Sequence, residues 1–261
     1  MTKIFKIGLL IGILLLVGGC AANEKENETT ERIAETEEVE LVFETERVYE
    51  DSMIDKIIGM KPTVVCLQTE VNGVTTTGSG FIMEISEEDV YICTNRHMIN
   101  EYDEWNVYFF DGTSAVGEKL GVAELYDVGI VKVERANIEK ETLNNLFSVK
   151  IDLSYWESIG SEEIELGMLR IGTKGEIIHT KLGILLRKQI EFLWGNGEME
   201  TELSIDQEEG DSGSALFDKE GRLISMVFGT SQDVGGERNW GVPLDAIITS
   251  YQQITDRILI E

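Results

Sequence analysis

Apolar and polar positions alternate at different periods along the chain, and each change of period marks an element. An unbroken apolar run, Ile7 to Val17, follows the basic pair Lys3 and Lys6. From Ala21 to about Glu50 the residues are mostly Glu, Thr and Asn with almost no apolar periodicity. That pattern suits a solvated, self-repelling linker; within it, Val39 to Val48 reads as a short strand or a short helix. From Lys61 onward, short apolar, β-branched segments are broken by Gly, Asn and Asp. Strands are predicted at Thr63 to Thr69, Gly80 to Ile85, Val90 to Thr94, Trp105 to Phe110, Ala115 to Leu125 and Val128 to Val133. Asn72-Gly73 and Asp111-Gly112 supply hairpin turns. After a less regular stretch, Ile138 to Trp156, strands resume at Met168 to Ile171, Glu176 to Leu186 and Ile190 to Trp194. Three more follow at Ala215 to Phe217, Leu223 to Phe228 and Asn239 to Val242. The period then lengthens: Leu244, Ile247, Ile248, Tyr251, Ile254 and Ile258 recur at three- and four-residue steps, which predicts a closing amphipathic helix. Many short strands at close spacing imply an all-β sandwich or barrel, with no further folded module expected after the helix.

The first apolar run is too short to cross the ~30 Å hydrocarbon core as a helix, so it reads as the central region of a signal peptide. It ends in Val17-Gly18-Gly19-Cys20, which resembles the lipobox of bacterial lipoproteins. The resemblance implies cleavage before Cys20, lipidation of its thiol and an extracytoplasmic, membrane-tethered location; durable anchoring takes two or more acyl chains. The other reading is an ordinary cleaved signal peptide with an incidental cysteine.

Composition narrows the function classes. With 42% hydrophobic residues and 8% aromatics the chain can pack a core. Its formal charge of −27 becomes −29 on loss of Lys3 and Lys6. So acidic a surface repels phosphate backbones, which excludes nucleic acid as a partner. Three cysteines and two histidines, with no Cys/His/Asp cluster at metal-ligand spacing, give no reason to expect a metal or other cofactor.

Three stretches carry chemistry. In Glu209-Gly210-Asp211-Ser212-Gly213-Ser214, glycines flank an Asp-Ser pair. Such a bend can present a hydroxyl without steric cover and aim main-chain N–H groups at a developing oxyanion; it also suits a plain turn between strands. In Tyr91-Ile92-Cys93-Thr94-Asn95-Arg96-His97 an apolar run ends in Thr-Asn and then one of the chain's two histidines. In Tyr126-Asp127-Val128-Gly129-Ile130-Val131 an acid opens a strongly apolar strand. Burying that acid is costly unless it is paired, and an imidazole N–H would pair it.

In that order, His, Asp, Ser, the three stretches resemble the trypsin-like serine peptidases, the bacterial branch with HtrA and V8-type enzymes above all. Gly78-Ser79-Gly80-Phe81-Ile82, Lys181-Leu182-Gly183-Ile184-Leu185 and Asn239-Trp240-Gly241-Val242-Pro243-Leu244 also match that family, and the resemblance runs from about Lys61 to Glu261. It implies two antiparallel six-stranded β-barrels with a C-terminal helix and the active site between them. The domains expected are a lipoprotein signal peptide over 1–19, an acidic linker over 20–50 and a peptidase domain over 51–261 whose barrels divide near 135–165. The implied reaction is peptide-bond hydrolysis through an acyl-enzyme, without a cofactor, on a polypeptide substrate. Ser212 is then the nucleophile, His97 the general base and Asp127 its orienting partner. The N–H groups of Gly210 and Ser212 form the oxyanion hole, and Met226, Val227, Phe228 and Gly229 pair with an extended substrate.

The chain departs from the family at several points. Ala215 stands where Pro is usual, and no segment supplies a free amine that could insert to activate the enzyme. Asp206, six residues before Ser212, falls where an acid would select Arg or Lys, or else in a surface loop. His179 precedes the nucleophile and is read as structural. Cys66 and Cys93 are expected to face the first barrel's interior, as free thiols or as a disulfide. The competing reading from another class is a lipoprotein that keeps this fold for binding or sensing and cleaves nothing.

Overall fold

The computed structural model describes residues 51–191, 198–233 and 236–259. The chain divides into two units, Met1–Glu46 and Arg47–Glu261. The first, with the expected signal peptide, Cys20 and nearly all of the linker, lies outside the described residues, as do Glu50 and the strand or helix expected at Val39 to Val48.

Six strands, β1 (Val64–Val71), β2 (Val74–Ile85), β3 (Asp89–Thr94), β4 (Glu104–Tyr108), β5 (Ser114–Val122) and β6 (Gly129–Glu134), close into one barrel in the order β1-β2-β3-β6-β5-β4. Six more, β7 (Ile164–Ile171), β8 (Ile177–Glu191), β9 (Met199–Leu203), β10 (Ala215–Phe217), β11 (Leu223–Asp233) and β12 (Gly236–Pro243), close a second in the order β10-β11-β12-β9-β8-β7. The helices are α1 (Asp51–Gly59), α2 (Arg96–Ile99), α3 (Lys140–Leu143), α4 (Leu153–Ser158) and α5 (Leu244–Thr255). This is the expected architecture, two closed antiparallel six-stranded barrels and a C-terminal helix.

Local chemistry explains the path. Asn72 and Gly73 turn the β1–β2 hairpin with φ of 54° and 78°; two left-handed residues give the turn whose twist matches its strands. In β4 and β5 buried and exposed positions alternate, the mark of strands with one wet face. β1 and β3 are apolar on both faces because each face has a core. Val65, Leu67, Val90 and Ile92 fill the first barrel with Trp105, Val107, Val131 and Val133. Val64, Cys66, Tyr91 and Cys93 point the other way and join a cluster with second-barrel residues such as Met168, Leu216 and Met226.

This corrects one expectation. Cys66 and Cys93 do not face the first barrel's interior: strand alternation puts them on the outer face, against the second barrel, and Cys93 Sγ lies 3.9 Å from Met226 Sδ. Both are buried free thiols.

Other differences concern element lengths. β8 runs for 15 residues and takes in Ile190, while residues 192–197 lie outside the described residues. β9 was not expected, because Met199-Glu-Thr-Glu-Leu203 reads as polar although Glu200, Thr201 and Glu202 are buried. α1 was not expected either; it seats Met53 and Ile57 in the core, Ile57 against Gly167 of β7.

Candidate active site

His97 stands in the first turn of α2, and Asp127 in the bend before β6. Arg96 Nη1 donates to the carbonyls of Ala123 and Glu124 at 3.0 and 2.9 Å, which ties that bend to α2. Asn95 Nδ2 donates to the Asp127 carbonyl at 3.2 Å. Asp127 is thereby delivered to His97: its Oδ1 accepts the His97 main-chain N–H at 2.8 Å, and its Oδ2 lies 2.6 Å from His97 Nδ1. The carboxylate is buried while the imidazole is 47% exposed. With Nδ1 turned to the acid, the Nε2 edge is the one left for other partners.

Ser212 sits in the loop between β9 and β10. Gly210 and Gly213 on either side have φ of 91° and 84°, the left-handed region that glycine enters without strain. Two further contacts explain why no side chain fits. A Cβ on Gly213 would stand 2.1 Å from the Ser79 carbonyl oxygen, and one on Gly210 would stand 2.1 Å from Arg170 Nη2. The main-chain N–H groups of Gly210 and Ser212 have no acceptor among the described residues.

Ser79 of β2 is a residue the sequence reading quoted but gave no role. Its N–H donates to the Ser212 carbonyl at 3.0 Å and its Oγ to the Gly210 carbonyl at 2.9 Å. Its own carbonyl accepts from Thr94 Oγ1 at 2.7 Å. The first barrel thus grips the serine loop through Ser79, which is held in turn by Thr94, three positions before His97. On the other side, Gly213 N–H donates to the Val227 carbonyl at 3.2 Å and Val227 N–H to the Ser214 carbonyl at 2.9 Å. Phe228, at a bulge in β11, brings its ring 6.5 Å from the His97 ring. His97, Asp127 and Ser212 therefore share one neighbourhood between the barrels. No hydrogen bond joins Ser212 Oγ to His97 Nε2 among the described residues; in ligand-free sites such bonds are often long and tighten only around substrate.

The other expected positions fall as follows. Met226 and Val227 are buried with their side chains in the core, Phe228 is half-buried, and a Cβ on Gly229 would meet nothing within 4 Å. An extended peptide beside β11 would therefore meet the Phe228–Gly229 surface. The Asp206 side chain is exposed, and its carbonyl accepts from Lys181 Nζ at 3.1 Å. Asp211, next to the serine, is wholly buried among Arg170, His179 and Lys181. Sequence reading missed that cluster; its only trace was a strand histidine two residues from a lysine. Behind Asp127, Glu200 is 2% exposed with Oε2 unpartnered, and burial, with Glu198 and Asp127 adding to it, pushes its carboxyl up to about 9. Among the described residues no group of three His, Cys, Asp or Glu side chains is placed to hold a metal ion.

Known proteins resemble this chain in sequence and in fold. A probable periplasmic serine endoprotease, DegP-like, of Halomonas elongata is 28% identical over 180 residues, covering 68% of this chain and 35% of the relative. A protein of the same description from Hahella chejuensis is 26% identical over 69% of this chain and 36% of its own length. The chain thus spans about a third of the length of these curated relatives. Among solved structures, the HtrA-type protease AlgW with decapeptide superposes with a TM-score of 0.62 at 16% identity, over 78% of this chain and 68% of that one. The serine endoprotease from Yersinia pestis gives 0.60 at 19% identity, over 80% and 68%. The trypsin-like peptidase domain profile matches residues 78–226, more than half the sequence and all three stretches that carry the chemistry. By fold, by motif order and by this match, the chain belongs to the trypsin-like peptidase domain family.

Proposed function

We propose that the folded part is a serine endopeptidase working outside the cytoplasm, tethered to a bacterial membrane through lipidated Cys20. One observation carries the reading: a His97–Asp127 pair closed at 2.6 Å lies beside a glycine-flanked serine whose loop holds two N–H groups without acceptors. Fold-level likeness alone would not assign an activity.

The chemistry follows from the atoms. Asp127 keeps the proton of His97 on Nδ1, so the Nε2 lone pair accepts the Ser212 hydroxyl proton as Oγ bonds to the scissile carbonyl carbon. The carbonyl oxygen gains the displaced electron pair and takes hydrogen bonds from Gly210 and Ser212 N–H. As the C–N bond breaks, His97 gives its proton to the departing amine. Water then repeats the cycle on the ester: His97 takes its proton, the acid is released and Ser212 recovers its hydroxyl. Substrate lies along Phe228 and Gly229 as an added strand. The exposed carboxylates of Asp206 and Glu209 support a preference for a basic side chain beside the scissile bond.

The test uses the chain from residue 20 with Cys20→Ser, beside the same protein with Ser212→Ala. A fluorophosphonate probe should label the first and not the second, and a peptide library should be cut only by the first, mainly after Arg or Lys. Cleavage elsewhere would remove the role given to Asp206. A folded protein that neither labels nor cuts would favour a binding or sensing module. Incorporation of labelled palmitate in cells, lost in Cys20→Ala, tests the anchor.

A further inference from the structure

Asp211 raises a problem of physical chemistry: a carboxylate with no exposed surface adjoins the serine, and burying an unpaired charge is prohibitive. The solution comes from two neighbouring strands. His179 and Lys181 are two apart on β8 and so project from one face, and Arg170 of β7 is paired directly opposite His179, which brings it to that same face. All three converge on Asp211. Lys181 Nζ lies 2.9 Å from Oδ2, His179 Nε2 lies 2.8 Å from Oδ1 without the alignment of a hydrogen bond, and Arg170 Nη1 lies 3.7 Å from Oδ1. Glu208 N–H adds a hydrogen bond to Oδ2 at 2.9 Å.

The same cations also gather the main chain. Lys181 Nζ donates to the Asp206 carbonyl at 3.1 Å and pairs with Glu208 Oε1 at 2.9 Å. Arg170 Nη1 donates to the Glu209 carbonyl at 2.8 Å, and its guanidinium occupies the face of Gly210 where a Cβ would stand. Burial alone would lower the Lys181 pKa, but Asp211 and Glu208 hold it above the ordinary lysine value.

We propose that Lys181 and His179, with Arg170, are positioning residues that lock the Asp206–Ser212 loop from strands β7 and β8 of the second barrel. Drawing the Asp211 carboxylate inward fixes the peptide groups on either side of it, whose neighbouring N–H groups belong to Gly210 and Ser212. The clamp is built from the barrel's own strands, so the loop takes its working shape without an inserted chain terminus. The inference rests on the proposed peptidase reading, and the experiment separates the two.

The probe is the fluorophosphonate labelling rate of the Cys20→Ser protein, with kcat and KM on the best library peptide and hydrogen exchange of residues 206–213. Lys181→Met is expected to slow labelling and lower kcat roughly 10²-fold, the scale of one lost oxyanion donor, with KM little changed. His179→Gln should act in the same direction but less, and Lys181→Arg should restore most of the rate. Exchange in 206–213 should rise while β10 and β11 stay protected. Should Lys181→Met fail to fold, Lys181→Met with Asp211→Asn removes the buried carboxylate along with its partner, and it should fold yet label slowly. A folded Lys181→Met or double variant with parental labelling and parental exchange would overturn the proposal, as would protection lost evenly across both barrels. If the parent itself does not label, the peptidase reading fails, and exchange in 206–213 still decides whether the clamp holds the loop.

Discussion

Gly213 shows how little freedom single positions have around the serine. Its φ of 84° and the 2.1 Å that would separate a Cβ from the Ser79 carbonyl oxygen leave no side chain a place. Gly213→Ala is expected to destabilise the protein by about 1–3 kcal/mol, the scale of a forced left-handed residue, and to abolish probe labelling; urea unfolding and a labelling gel read the two effects. Glu200 is strained in a different way, because burial lifts its carboxyl from 4.5 to about 9. An acid with a higher pKa folded than unfolded binds more protons when folded, so stability falls as pH climbs between the two values and levels off above the higher. Glu200→Gln should remove that slope, and its gain in Tm over the parent should grow from pH 5 to pH 9. Equal slopes in thermal scans of both proteins would refute this. At this scale the sequence was legible where a residue stood in a short motif: His97, Asp127 and Ser212 could each be singled out as candidates from a few neighbours. Arg170, His179 and Lys181 could not, because they meet Asp211 only through the β7–β8 register and a loop from elsewhere in the barrel.

At the scale of elements, α5 is fastened by more than its buried face. Tyr251 Oη donates to Glu84 Oε2 at 2.6 Å across to β2, and Arg257 Nε donates to the same carboxylate at 3.0 Å. Arg257 holds the Glu84 pKa below its usual value, against burial and with help from Tyr251. A depressed acid contributes stability that is present above its unfolded pKa and fades as pH falls through the folded one. Tyr251→Phe should therefore lower stability at pH 7 by about 1.5–3 kcal/mol, as for other hydrogen bonds to charged groups, with the deficit shrinking below pH 4; denaturant melts at the two pH values check it. The helix itself was plain in the three- and four-residue spacing of Ile247, Ile248, Tyr251 and Ile254. β9 was hidden because its buried Glu200, Thr201 and Glu202 carry the polar pattern of a loop. α1 was hidden because nine residues give the helical period only about two and a half turns in which to declare itself.

Across the whole molecule, the two barrels share an interface in which the first barrel's outer face becomes core. That explains why β1 and β3 read as continuous apolar runs, a pattern that suggests burial on both sides without saying against what. The thiols report on the same interface. Burial pushes Cys66 up to about 11 and Cys93 higher still. In the Cys20→Ser protein neither should react with iodoacetamide at pH 8 while folded, and both should react in urea, as intact mass will show. Modification of Cys93 in the folded protein would mean that the barrels part readily.

Ser79 and Gly210 bond across 131 residues of sequence, and this has a consequence in time. A chain leaves the ribosome first end first, so the strand carrying Ser79 exists long before the loop it must grip. The serine hydroxyl is made late and has no shaped surroundings until both barrels have closed on each other. On the proposed peptidase reading, a nascent copy therefore carries an unactivated alcohol until that closure is complete.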